Sequence, residues 1–73
     1  MLYYVVEISH TKQGIAKAVT EKPDLDGARM LYHQVLSSML ANENVTFGIC
    51  TILDNDGQQM PEFTETVHKN ENA

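Results

Sequence analysis

The sequence has little of what usually cross-links a small protein. Its 73 residues include one cysteine, Cys50, so no disulfide can form within the chain. The three histidines, His10, His33 and His68, lie far apart and do not have the spacing of a zinc site. A chain this short buries only about 60% of its unfolded surface. We therefore expect oligomerisation, as a dimer or a larger assembly, to add the missing stability.

The sequence also lacks a long apolar run, since a membrane span would need about 18 such residues. Residues 1–8, MLYYVVEI, have neither the basic start nor the cleavage site of a signal peptide. A single unpaired cysteine is typical of a reducing compartment. These features predict a cytoplasmic protein with no membrane partner.

Positive charge is scarce, and negative charge is concentrated in one part of the chain. Ten acidic residues stand against five Lys and Arg, which gives a formal net charge of −5. Charges balance over residues 1–41, so residues 42–73 carry the whole excess. Nucleic-acid binding depends on cations that neutralise phosphates, and we expect no DNA or RNA partner. An acidic mimic of DNA is a minor alternative, because ten acidic residues in a chain of 73 are few for that role.

Four segments have the composition and alternation of β-strands. They are residues 2–9, 15–22, 45–54 and 58–66. The first strand has one fully apolar face, which we expect to point to the core: Leu2, Tyr4, Val6 and Ile8. The third is apolar on both faces, which predicts a central or doubly covered strand. Pro61 cannot donate a ladder hydrogen bond, so the fourth strand should lie at an edge or carry a bulge.

The connections between these strands have recognisable turn residues. Residues 10–14, HTKQG, are predicted to be a hairpin loop of about five residues, and Asp56-Gly57 favours a tight turn. Pro23 ends the second strand, and Asp24 is the predicted N-cap of a helix that runs to about Ala41.

The predicted helix has an unusually wide apolar surface. Its residues cover roughly a half-circle, whereas a surface helix needs little more than 100°. The central stripe and its two flanking residues are Leu25, Ala28, Tyr32, Val35, Leu36 and Met39, with Leu31 and Leu40. We expect part of the helix, or the open face of the sheet, to be buried against a second copy. The alternative is a monomer with a few exposed apolar side chains.

The order of these elements, β-β-α-β-β, predicts an α+β fold. Two hairpins joined by one helix make a four-stranded antiparallel sheet with the helix packed on one face. Residues 1–66 form the predicted single domain, and residues 67–73 a frayed polar C-terminal tail.

No motif in the sequence indicates a reaction, a metal site or a cofactor. We therefore expect a protein that is not an enzyme. Cys50 alternates with core positions and is expected to pack as a small apolar residue. His33 is predicted to pack at an interface, with ligand donation or a pH-sensitive contact as alternatives.

Glu7 is the one charged residue within the first strand. It is expected to be solvated, to pair across strands with Lys17, or to need a polar partner if its face is covered. His10 and Lys12 form, with Lys17 and Lys22, the positive cluster of the chain. This cluster is either a solvated loop or a contact for an anion such as a nucleotide phosphate.

Several segments resemble a family of very small, largely uncharacterised proteins encoded in phages and prophages of Gram-positive bacteria. The similarity rests on YYVVEI at residues 3–8, the Tyr32-His33 pair in the middle of the helix and VTFGICTILDNDG at residues 45–57. The acidic C-terminal segment PEFTETVHKNENA departs from the family pattern.

The resemblance implies a phage accessory protein that acts in the host cytoplasm. By analogy with small counter-defence proteins, it would sequester a nucleotide immune signal, such as a cyclic ADP-ribose derivative, in a pocket of the oligomer. The expected ligand residues are Tyr3, Tyr4, Glu7, His10, Lys12, Tyr32 and His33. The alternatives are a protein that blocks a host defence enzyme through the acidic region 54–65, and a structural or regulatory phage protein that only self-associates.

Overall fold

A computed structural model describes residues 1–69 of the chain, and the elements follow the predicted order. They are β1 (Tyr3–Thr11), β2 (Gly14–Lys22), α1 (Leu25–Ala41), β3 (Val45–Leu53) and β4 (Gln59–His68). The four strands form one antiparallel sheet in the order β2-β1-β3-β4, and α1 packs on one face of it. The predicted α+β fold class is confirmed.

The first hairpin is tighter than predicted. Strand β1 continues to Thr11 and β2 begins at Gly14, so the loop has two residues instead of about five. The Thr11 hydroxyl donates to the Gly14 carbonyl at 2.9 Å and accepts from the Gln13 amide at 3.1 Å. Gly14 has a φ of 138°, which only glycine adopts without strain. The local hydrogen bonds of threonine and the freedom of glycine close the turn early.

The helix begins and ends where the sequence predicts. Asp24 is the N-cap, and its Oδ1 accepts a hydrogen bond from the Gly27 amide at 2.6 Å. The side chains that α1 buries against the sheet are Ala28, Tyr32, Val35 and Met39. Met30 and Leu40 remain exposed, so the apolar surface is wider than the part that the sheet covers.

The prediction of which face of β1 is buried was wrong. Val5 is fully buried beneath α1 and lies opposite Ile52, which is also fully buried. The set with Tyr4, Val6 and Ile8 therefore points away from the helix. Alternation shows that a strand has two faces, whereas the position of the helix decides which one is covered.

The sheet face opposite α1 is largely apolar, and we call it the open face. The strand register places these side chains on it: Tyr4, Val6, Ile8, Ile15, Val19, Phe47, Ile49 and Leu53. At one end of the open face, the Phe47 ring meets His10 and His68 edge-on, with centroid distances of 5.3 and 4.9 Å. No element among residues 1–69 covers this face.

The last strand confirms one prediction and corrects another. Pro61 lies on β4 at the sheet edge, and the pairing of β4 with β3 shifts register between Thr51 and Leu53. Val67 and His68, predicted to belong to a frayed tail, continue the strand. Val67 is buried in the core, and its apolar burial explains the longer strand. The rest of the predicted tail, residues 70–73, lies outside the described part of the chain.

Candidate functional site

A groove of about 300 Å³ lies between α1 and the sheet. Its polar lining comes from Glu7, Ser9, Gln34, Ser38 and Asn42, and its apolar lining from Leu31, Val35, Met39 and Val45. Glu7 and Ser9 are partly buried on β1, while the polar helix residues are exposed. A cavity with apolar walls and a few convergent polar groups is the usual form of a ligand site.

The groove exists because the helix does not cover the whole sheet. Helix α1 packs mainly on β3, β1 and β4, and least on β2. The side of β2 that faces the helix carries Ala16, Ala18 and Thr20, which lie opposite Ser9, Glu7 and Val5. These side chains are short, and none of them is among the lining residues of the groove, which come from β1, α1, its C-cap and the start of β3.

The lining of the groove has a definite electrostatic character. It contains one carboxylate, from Glu7, together with hydroxyl and amide groups, and neither lysine nor arginine is among the lining residues. Carboxylate oxygens accept hydrogen bonds and attract cations. The groove therefore favours a ligand that presents amino or hydroxyl donors, and it disfavours a phosphate held next to Glu7.

The structure does not bring the seven predicted ligand residues together. Glu7 is the one that lines the groove. Tyr3 lies on the helix side and packs against the core, whereas Tyr4 and His10 lie on the open face. Lys12 is in the turn between β1 and β2. The predicted residues of the strand and the turn therefore lie on two faces of the sheet and at one of its ends.

The neighbouring residues Tyr32 and His33 of the helix also lie in different environments. Tyr32 is a core residue with 5% of its surface exposed, and its ring lies edge-on to Phe63 at 6.0 Å. Burial raises the pKa of the Tyr32 hydroxyl, and the nearby Glu65 carboxylate adds to this. His33 is exposed and meets the Tyr32 ring edge-on at 5.1 Å. Tyr32 is therefore a packing residue, whereas the predicted interface role of His33 remains a prediction.

One of the alternatives for Glu7, pairing with Lys17, and the expected positive cluster were wrong. Glu7 lies opposite Ala18 and faces the helix, whereas Lys17 lies opposite Ile8 on the open face. Their side chains project from different faces of the sheet and cannot pair. The positive cluster is also not formed, because Lys22 lies opposite Tyr3, at the far end of β1 from the turn that holds Lys12.

Sequence reasoning missed most of the groove. Gln34, Ser38 and Asn42 follow one another at intervals of four and so form a polar row along α1 and its C-cap. Ser9 lies two residues after Glu7 and shares its face. Both spacings can be read from the sequence. The sequence does not show that the polar row of α1 and the residues Glu7 and Ser9 of β1 face each other across one groove.

Cys50 has the environment of a core residue. It is fully buried and free, as predicted. Burial raises the pKa of its thiol to about 11, with a smaller contribution from the Glu7 carboxylate. The thiol is therefore protonated near neutral pH and is not an activated nucleophile.

Residues 1–69, the described part of the chain, contain no group of three or more His, Cys, Asp or Glu side chains arranged to hold a metal ion. Within the same range, no helix is both long and apolar enough to cross a membrane.

Comparison with known proteins gave no match: no family model fits the chain, and no curated protein or solved structure is significantly similar to it. The fold and the groove define a small α+β domain with a partly polar cavity between α1 and the sheet. What the domain binds has to be argued from that cavity and from the exposed surfaces.

Proposed function

We propose that this chain is a non-enzymatic binding protein that holds a small polar molecule in the groove beside Glu7. The observation that carries the proposal is the groove itself, where a partly buried carboxylate and four other polar side chains meet apolar walls. A partly buried charge among apolar neighbours has a desolvation cost, which a bound donor group would offset.

The resemblance to phage proteins suggests a nucleotide immune signal as the ligand. In this form of the proposal, an oligomer in the host cytoplasm sequesters a cyclic ADP-ribose-like molecule and so counters host defence. The Glu7 carboxylate suits the hydroxyl groups of a ribose or the amino group of a base, both of which donate hydrogen bonds. The phosphates would lie outside the groove, away from the negative charge of Glu7.

Calorimetry tests this proposal with the wild-type protein and a panel of cyclic nucleotides and ADP-ribose derivatives. We expect one ligand to bind with measurable heat and the Glu7→Gln variant to bind it at least about tenfold more weakly, since it loses a charge-assisted hydrogen bond. Glu62→Gln makes the same charge change on the exposed surface of β4 and should leave binding unchanged. Absence of heat with every ligand would remove the nucleotide form of the proposal.

The fate of the ligand distinguishes sequestration from an enzymatic role. A sequestering protein should release its ligand chemically intact when it is denatured, and chromatography of the released molecule measures this directly. Recovery of a hydrolysed product would show turnover instead.

The open face favours a second candidate function, the blocking of a host defence protein. Val6, Ile8 and Ile49 are adjacent there on β1 and β3. Large exposed apolar patches commonly mark protein contacts. A pull-down from defended host cells should retain the same host protein with wild type and Glu7→Gln and lose it with Ile49→Lys. Equal capture by wild type and both variants would contradict this second function.

A further inference from the structure

We propose that two copies of the chain pair edge to edge through β2, in an antiparallel register centred on Val19, and so form one continuous sheet of eight strands. The sequence predicted self-association through the helix or the open face, whereas this proposal places it on the β2 edge. The proposal does not depend on the identity of a ligand.

The two edges of the sheet differ in their ability to accept another strand. The β4 edge carries Pro61 and a register shift against β3, both of which interrupt a ladder. Strand β2 pairs with β1 without a break over nine residues, Gly14–Lys22, and contains no proline. Its outward amides and carbonyls therefore form a regular template for an added strand.

The two charged residues on the open face of β2 select one register for a symmetric pair. Lys17 and Glu21 share the open face and stand two residues on either side of Val19. A two-fold axis at Val19 therefore places Lys17 of each copy directly opposite Glu21 of the other. Opposite charges at facing positions of an antiparallel pair are stabilising, and like charges are destabilising.

Neighbouring registers lack this complementarity. An axis at Lys17 or at Glu21 places that residue opposite its own copy, so that like charges face each other. An axis at Ala18 or Thr20 leaves both charges opposite uncharged side chains. The register centred on Val19 is thus the one within this segment that satisfies both charges, and it does so twice in each dimer.

The other side chains of β2 also suit this pairing. Val19, whose side chain is 64% exposed, meets Val19 of the second copy and continues the apolar row that begins with Val6. On the helix side, Ala18 lies opposite Thr20 of the second copy, and both side chains are small. The centre of the pairing therefore meets no bulky side chain on the helix side, and Lys22 of each copy lies opposite Ala16 of the other.

The pairing has a consequence for the groove. A two-fold axis perpendicular to the sheet leaves both helices on the same face, one on each side of the joined β2 strands. Each groove beside Glu7 lies level with Ala18, which the pairing places opposite Thr20 of the second copy. The two grooves are therefore offset along the joined strands, one on each side of the axis.

Charge reversal tests the register directly. Sedimentation velocity should show a wild-type dimer, whereas Lys17→Glu and Glu21→Lys each place like charges opposite one another twice and should weaken the dimer by about tenfold or more. The double variant, Lys17→Glu with Glu21→Lys, restores opposite charges and should dimerise again. An equimolar mixture of the two single variants should form a heterodimer for the same reason.

Control variants distinguish edge pairing from a general effect of charge or a loss of folding. Lys12→Glu makes the same charge change in the turn and should dimerise like wild type, and circular dichroism should show every variant folded. If the wild-type chain stays monomeric, the proposed self-association is wrong. Ligand binding in the groove is then decided separately, by the calorimetry described above. A dimer that tolerates both single charge reversals but is lost in Ile49→Lys would place the interface on the open face and overturn the edge pairing.

Discussion

Met39 of α1 lies directly over Gly48 of β3, so that a Cβ on Gly48 would come within 2.6 Å of the Met39 Sδ. Gly48 is buried at the centre of the sheet, where a glycine normally weakens a strand. Here the missing side chain allows the C-terminal half of the helix to approach the sheet. Met39 also lines the groove, so this contact holds one of the apolar walls of the groove in place.

Substitution of Gly48 by alanine should therefore be destabilising. We expect Gly48→Ala to lower the free energy of unfolding by about 1 kcal/mol, the low end for an overpacked core, because the opposing atoms belong to a flexible methionine side chain. Urea denaturation measures the loss. In a Met39→Ala background the same substitution should cost little, because the opposing sulfur is gone; an equal cost in both backgrounds would contradict the proposed contact.

The N-cap of α1 gives a second prediction. Asp24→Ala removes the acceptor for the Gly27 amide and should lower the free energy of unfolding by about 1 kcal/mol. Asp24→Asn keeps an acceptor and should retain most of this stability. Asp26→Ala, in the first turn but not at the cap, is the matched control. If urea denaturation gave equal losses at the two positions, the effect would be one of charge near the helix end and not of capping.

The raised pKa of the Cys50 thiol predicts that the fold loses stability at alkaline pH. Its pKa rises from an ordinary value of 9.0 to about 11 in the folded chain. Between these values the unfolded chain loses the thiol proton while the folded chain keeps it, so stability must fall as pH rises through this window. Denaturation series from about pH 8 to about pH 11 should show a steeper decline for wild type than for Cys50→Ala. Parallel declines would contradict the assignment.

Substitution of Glu7 by an apolar residue should abolish ligand binding without lowering the stability of the fold. Glu7→Leu replaces a partly buried carboxylate by an apolar side chain, so the free energy of unfolding should stay the same or rise by about 1 kcal/mol. The same variant should lose the ligand heat that wild type shows in calorimetry. A large loss of stability would instead make Glu7 a structural residue of the sheet.

Local signals predicted much of the fold because they act through neighbouring residues. Asp24 caps the helix, Pro61 lies on an edge strand, and Gly57 takes a φ of 82° in the turn before β4, all as expected. Each depends on backbone geometry or a hydrogen bond within a few positions. The strand that ends at His68 was longer than expected, because Val67 is held by packing across the sheet.

The candidate site was far less predictable. Of the seven residues expected to bind a ligand, Glu7 lines the groove, Tyr32 lies in the core, and His10 lies on the opposite face of the sheet. Residue type suggested all three, since each can hydrogen-bond or stack. Whether such side chains meet at one site depends on which face of the sheet the helix covers, and no spacing along the chain encodes that choice.

By itself, the sequence determined the order and kind of the elements, the cap of the helix, the central place of β3 and the absence of an internal disulfide. The tertiary structure alone decided that Val5, and not Val6, lies beneath the helix, and that Glu7 and Ser38 face one groove. The physical reason is that an alternating strand with two apolar faces has two nearly equivalent ways to pack. In the fold that forms, Met39 packs over Gly48 on the face that Val5 shares, and Phe47 and Ile49 lie on the other face.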